Sequence, residues 1–166
     1  MNCLKETLAR LANKADECKG TFFEGRFKSI AILDEQSPLP VCAYIDLNPV
    51  SAGIAETPEA SHHTSIKQRV DHATSHNRID DVQSAKQGSV VASKVACHLE
   101  DGLWLIPIED LRGIDSNSEG MLNGFTLGNY LMLVQCTGRI VRNGKVSISS
   151  DLADIFDRIG TTAERW

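Results

Sequence analysis

Aromatic side chains are scarce in this chain: 2 Trp, 2 Tyr and 5 Phe make up 5% of its 166 residues, so any core has to be assembled from Leu, Ile, Val and Ala. Long hydrophobic runs are missing as well. The longest, Leu103 to Ile108 and Tyr130 to Val134, fall far short of the ~20 apolar residues that span a bilayer. Lys5, Glu6 and Arg10 interrupt the first turns where a signal peptide would carry its apolar region. No membrane partner is therefore expected, and the chain reads as cytoplasmic. The 5 cysteines (Cys3, Cys18, Cys42, Cys97, Cys136) are odd in number and contain no C-x-x-C pair, which argues against a disulfide framework or a zinc knuckle. Basic residues are in deficit. A net charge of -5, spread along the whole sequence, counts against a dedicated nucleic-acid binder, because phosphate contacts come from clustered Lys and Arg. The best local patch is Arg26 with Lys28, to which Lys67 and Arg69 are candidate additions in space.

At 42% hydrophobic residues, the chain can support one domain with an appendage. Leu4, Leu8 and Leu11, with Ala9 and Ala12, recur at helical spacing and predict an amphipathic helix that ends near Asn13. Phe22 to Leu33 suits an extended strand. After a turn with two prolines, Pro40 can open a short apolar helix over Val41 to Leu47, which Asn48-Pro49 should interrupt. Ser65 to Ala73 has helical spacing, and a further helix begins near Ile79 or Asp81. Ser75 to Ser93 is polar and reads as a linker with too little apolar content for a core element. Beyond it come a strand-like Leu103 to Ile108, a helix over Thr126 to Leu133, an Asn143-Gly144 turn, and a last helix over Ser150 to Ile159 with Ser150 as N-cap and Gly160 as stop.

Two stretches carry a family resemblance: Phe22-Phe23-Glu24-Gly25-Arg26-Phe27-Lys28-Ser29, and Ala43-Tyr44-Ile45-Asp46-Leu47-Asn48-Pro49-Val50-Ser51-Ala52-Gly53. Together they resemble the strand and following helix of REP-associated tyrosine transposases, HUH-class relatives of the small insertion-sequence transposases. The likeness extends to Glu56-Thr57-Pro58-Glu59 and to Leu131-Met132-Leu133-Val134 with Thr137-Gly138-Arg139. It implies DNA transposition by cleavage and joining of single-stranded hairpin DNA, with Tyr44 at the nucleophile position. Asn48 and Pro49 would shape the helix end that aims the tyrosine, and Arg26 and Lys28 would touch DNA phosphates. The fold implied is α+β and mostly helical: a ferredoxin-like transposase domain, here truncated, with a C-terminal helical appendage. A divalent magnesium or manganese ion is the family's cofactor, because a phenol with a pKa near ~10 is a poor nucleophile without charge on the phosphoryl oxygens.

The chain departs from that pattern in one respect. The family's metal is held by a His-hydrophobic-His motif upstream of the Phe-x-Glu-x-Arg-Phe strand; only 21 residues precede Phe22, none is histidine, and no His-x-His occurs anywhere. No metal ligand is therefore assigned, and the chain is expected to be truncated and inactive alone. Three segments follow: residues 1–74 as the C-terminal part of the transposase domain, 75–100 as a linker or helical connection, and 101–166 as a family-specific appendage whose acidity argues against gripping DNA. Homodimerisation is an option but would not restore the metal ligands. The alternative reading is a non-catalytic DNA-binding or accessory remnant.

Other features carry bland explanations. Taken alone, a tyrosine on a short apolar helix packs at a core or its rim. His72 and His76 stand one helical turn apart, with His62-His63 ten residues earlier, but no carboxylate or cysteine accompanies them at ligand spacing. A separate metal module using this cluster is the third reading. Cys97-His98 near Glu100-Asp101 is a further proximity. Asp151, Asp154 and Asp157 read as a solvated face of the last helix, over buried Leu152, Ile155, Phe156 and Ile159.

Overall fold

The computed structural model describes residues 2–23, 31–32, 38–85, 99–111, 119–140 and 143–163. Arg26, Lys28, Cys97, His98 and most of the expected Phe22 to Leu33 strand lie outside the described residues. The chain divides into two compact units, Met1–Ala31 and Ile32–Trp166.

The first unit is built on α1 (Asn2–Ala15). Leu4, Leu8 and Leu11 line one face and are exposed, and Arg10 pairs with Glu6 one turn away at 2.6 Å. The helix is closed by backbone bonds from Asp16 and Cys18 to Ala12 and Asn13. Asn13 then reaches across the following loop, its side-chain amide donating to the Gly20 carbonyl at 3.0 Å. Phe22 and Phe23 meet edge to face with ring centres 5.0 Å apart, and the Lys5 ammonium lies 4.6 Å from the Phe23 ring centre.

The second unit contains α2 (Pro38–Ser51), a 3-10 turn (Pro58–Ala60), α3 (Ser65–Ser75), α4 (Ile79–Ala85), α5 (Leu127–Gly138) and α6 (Ile155–Ala163). α2 packs on α5, α5 and α6 on α4, and α3 on the 3-10 turn. The core joins Leu39, Ala43, Leu47 and Val50 of α2 with Ile66, Val70 and Ala73 of α3, Val82 of α4, Leu131 and Val134 of α5, and Ile155 and Ile159 of α6. Residues from all three sequence segments thus share one core.

The ferredoxin-like α+β expectation is corrected by this architecture. The chain is mostly helical, 53% helix, and no sheet forms among the described residues. Leu103 to Ile108, expected as strand-like, runs as loop. The one isolated bridge nearby joins Glu109 to Leu122. The apolar side chains of 103–108 do not point uniformly inward: Ile108 is fully buried, while Trp104 and Ile106 are exposed.

Three helix boundaries also differ from expectation. α2 passes through Asn48-Pro49 and stops two residues later. Leu47 and Val50, buried on either side of the proline, hold it in the helix, and packing outweighs the local bias against a helical residue before proline. The true stop is Gly53 at φ 71°, with Ile54 N–H donating to Pro49 O and Gly53 N–H to Val50 O, both at 2.9 Å, a Schellman closure. At the other end of α2, Pro38 and Pro40 both fall in the first turn, where their missing N–H groups cost nothing. α4 begins at Ile79, where a helix was expected, but it lies in the stretch read as too polar for a core element and nevertheless buries Ile79, Val82 and Ala85. α6 starts at Ile155 rather than Ser150, with the Asp154 carboxylate accepting from Phe156 N–H at 3.2 Å, and it runs through Gly160.

Candidate nucleic-acid interface

Helix periodicity divides α2 into two faces with different chemistry. Leu39, Ala43, Asp46, Leu47 and Val50 are buried. Val41, Tyr44, Ile45 and Asn48 face outward. Tyr44 is 62% exposed and Ile45 56%, so the phenol is presented to solvent rather than packed at a rim as a lone tyrosine would ordinarily be. Asn48 stands one turn beyond Tyr44 on the same face, and Pro49 is half-buried beside it.

The inward face is held by a buried carboxylate. Asp46, 1% exposed, accepts from Ser65 N–H at 3.0 Å, from the Ser65 hydroxyl at 2.7 Å and from the Tyr130 hydroxyl at 2.7 Å. These bonds tie α2 to the start of α3 and the first turn of α5. They use both carboxylate oxygens, so a buried charge is fully partnered. Burial, followed by the Asp46 charge and its hydrogen bond, pushes the Tyr130 phenol far above its ordinary value. Burial, then Asp46, also raises the half-buried Cys42 thiol, which keeps it protonated and unreactive.

Next to this network, Arg69 of α3 forms a buried ion pair with Glu100 and donates to the Ile106 carbonyl at 2.9 Å. The second Glu100 oxygen accepts from Ile108 N–H at 2.7 Å. Desolvation pulls the Arg69 pKa below its usual range, an effect that nearby Tyr130 and Asp46 oppose. Arg69 is therefore a structural anchor for the 99–111 loop and contributes nothing to a DNA-facing patch. Lys67 does not join such a patch as a solitary cation either, being paired with Asp71 at 2.7 Å.

Tyr44 lies at the edge of a groove of about 220 Å³ between α2, the last turns of α5 and the segment after the Asn143-Gly144 turn. Leu47 and Leu133 contribute its apolar floor, and Ser51, Thr137 and Lys145 its polar groups. The walls are fastened to each other. Val146 N–H donates to Ser51 O at 3.3 Å, and Ile148 N–H to Gly138 O at 2.9 Å. A Cβ on Gly138 would sit 2.5 Å from Ile148 Cδ1 and 2.8 Å from Leu47 Cδ2, so a larger residue there requires the ends of these two buried side chains to shift. A second, broader depression beside α3 holds the Lys67–Asp71 pair and the Glu59–Arg158 pair at 2.5 Å, charges already matched to each other.

The described histidines do not assemble a metal site. His72 and His76 stack with ring centres 4.2 Å apart, and His76 Nδ1 lies 2.8 Å from the His72 carbonyl. His62 and His63 are exposed on a turn, His63 at φ 63°. Burial and the neighbouring His76 hold His72 below its ordinary pKa. No three His, Cys, Asp or Glu side chains converge to hold an ion among the described residues. Among the described residues the donors near Tyr44 do not fit a divalent metal either, since Asp46 is buried and its oxygens are already hydrogen-bonded.

Sequence reasoning singled out Tyr44 and passed over the buried charges that hold the helices. Asp46 and Arg69 each sit at a core position of a helical pattern, Asp46 beside Ala43, Leu47 and Val50, and Arg69 beside Ile66, Val70 and Ala73. A charge at such a position is the signal of a buried pair. Lys145 gave only a turn signal, because its proximity to Tyr44 depends on long-range packing. No family model, curated protein or solved structure matches this chain.

Proposed function

We propose that this chain is a transposase-family protein that engages single-stranded DNA through the outward face of α2, with Tyr44 in the position of the strand-attacking residue. One observation carries the reading: the tyrosine singled out by the Tyr44-Ile45-Asp46-Leu47-Asn48-Pro49-Val50 motif is 62% exposed on a helix whose opposite face is locked by Asp46. The Tyr44 ring and hydroxyl are thereby open to a ligand.

In the family's reaction, the Tyr44 phenolic oxygen would form a bond to phosphorus while the bond from phosphorus to the 3′ oxygen breaks. The phenol proton is lost, the departing 3′ oxygen becomes a hydroxyl, and the 5′ phosphate remains on the tyrosine. The described residues do not fit the divalent metal that supports this step, so the chain alone is expected to bind DNA without cleaving it.

A labelled single-stranded hairpin, incubated with the chain and manganese, tests both parts. On a native gel the hairpin shifts, and a duplex of the same sequence shifts less. On a denaturing gel no covalent adduct survives. An adduct abolished by Tyr44→Phe would make the chain a complete enzyme, and equal binding of hairpin and duplex would remove the single-strand reading.

A further inference from the structure

The single-strand reading leaves open where an unpaired nucleotide would sit, and the groove beside Tyr44 has the chemistry for one. We propose that it seats one unpaired nucleotide, its base against the Tyr44 ring and the apolar floor, its phosphate at Lys145. This rests on the single-strand reading above.

Size comes first. At about 220 Å³ the groove is smaller than the ~300–1,000 Å³ of sites that enclose drug-sized ligands. A groove of that size suits a single flat ring system.

Its lining follows the pattern of single-strand sites, which combine an aromatic platform with a cation that tracks the backbone. The exposed Tyr44 ring supplies the platform, since every base offers a π-face to stack upon. Lys145 supplies the cation. Among the described lining residues Lys145 is the charged one and none is a carboxylate, so a phosphate entering the groove meets a cation there. Ser51 and Thr137 offer hydroxyls that both donate and accept, which suits any base edge and predicts weak sequence preference.

The seat is also rigid. The Val146 to Ser51 and Ile148 to Gly138 bonds fix the segment carrying Lys145 against the ends of α2 and α5. A base stacked inside a duplex cannot reach such a groove, so the proposal requires an unpaired nucleotide. It also assigns a contact with DNA to the acidic C-terminal segment, through Lys145.

The test uses the full chain and a short fluorescein-labelled oligodeoxythymidylate, followed by anisotropy across a salt series. A parallel oligonucleotide carries one 2-aminopurine, whose emission reports stacking. Tyr44 and Lys145 are both exposed, so their substitution leaves the core intact, and circular dichroism verifies it.

Lys145→Glu is expected to weaken binding about five- to tenfold, and Lys145→Ala to reduce the salt slope by about 0.7. Lys67→Glu, an equal charge change on α3 at the other depression, produces a smaller loss. Tyr44→Ala weakens binding by about fivefold or more and abolishes 2-aminopurine quenching, whereas Tyr44→Phe, which keeps the ring, weakens it far less. Oligonucleotide binding that is indifferent to Lys145→Glu and Tyr44→Ala would overturn the groove and leave the single-strand reading standing. No binding by the unsubstituted chain would overturn both.

Discussion

Replacing Glu100 with Gln removes one charge from a buried pair while keeping the side chain's shape. Arg69 and Glu100 are 2% and 6% exposed, and their pairing is joined by bonds to the Ile106 carbonyl and the Ile108 N–H. The substitution leaves a guanidinium in the interior without its directly paired carboxylate, which costs about 3–5 kcal/mol. Against a typical total stability of about 5–15 kcal/mol, that is a large share. With a urea m-value of about 2 kcal/mol per molar, the unfolding midpoint should fall by about 2 M. Arg69→Met should be comparably harmful, because it strands the carboxylate instead.

The double variant distinguishes pairing from generic disruption. Residues in one ion pair couple, so Arg69→Met with Glu100→Gln should cost less than the sum of the two single changes by about 2 kcal/mol. Urea unfolding of the four proteins, followed by circular dichroism, measures the cycle. Single variants within about 1 kcal/mol of the parent, or additive losses, would refute the buried-pair account.

Tyr130→Phe removes a bond to the buried Asp46 carboxylate and should cost about 1.5–3 kcal/mol in the same assay. Because the folded state raises the Tyr130 pKa, its contribution is complete below the unfolded value of ~10 and is lost as pH rises above it; the variant should show a shallower alkaline decline in stability. Gly138→Ala should destabilise by about 1–3 kcal/mol in thermal melts, despite alanine's better helix propensity, because its methyl group meets Leu47 and Ile148. A neutral or stabilising result would mean that the Leu47 and Ile148 side chains turn aside at no cost.

Helices were the most legible part of the fold. The positions of α1, α3 and α4 follow from apolar spacing, as does the apolar side of α6 formed by Ile155, Phe156 and Ile159. Ends were harder to read where long-range contacts govern them. Pro49 signals a break, yet Leu47 and Val50 are buried around it and the helix continues to the Gly53 closure. Gly160 signals a stop that α6 ignores. The sheet implied by family likeness did not materialise among the described residues, because a resemblance carried by short motifs says little about the layers around them.

At the candidate site, Tyr44 is singled out by its motif and its exposure on α2 is what the structure adds. The partners of α2 were not legible, because Ser65, Tyr130 and Lys145 come from 19 to 101 residues along the chain, and nothing local links them to Asp46 or Tyr44. Arg69 was read as surface charge since its counter-ion lies 31 residues away, beyond the reach of any helical spacing rule.

The central claim is that single-stranded DNA meets the protein at the outward face of α2, and photo-crosslinking tests it directly. A hairpin oligonucleotide carrying 5-iododeoxyuridine at unpaired positions is irradiated with the chain, and the modified peptide is identified by mass spectrometry. The account predicts a crosslink in the peptide that contains Tyr44, reduced in Tyr44→Ala. Crosslinks confined to other peptides, with the Tyr44 peptide unmodified, would contradict it.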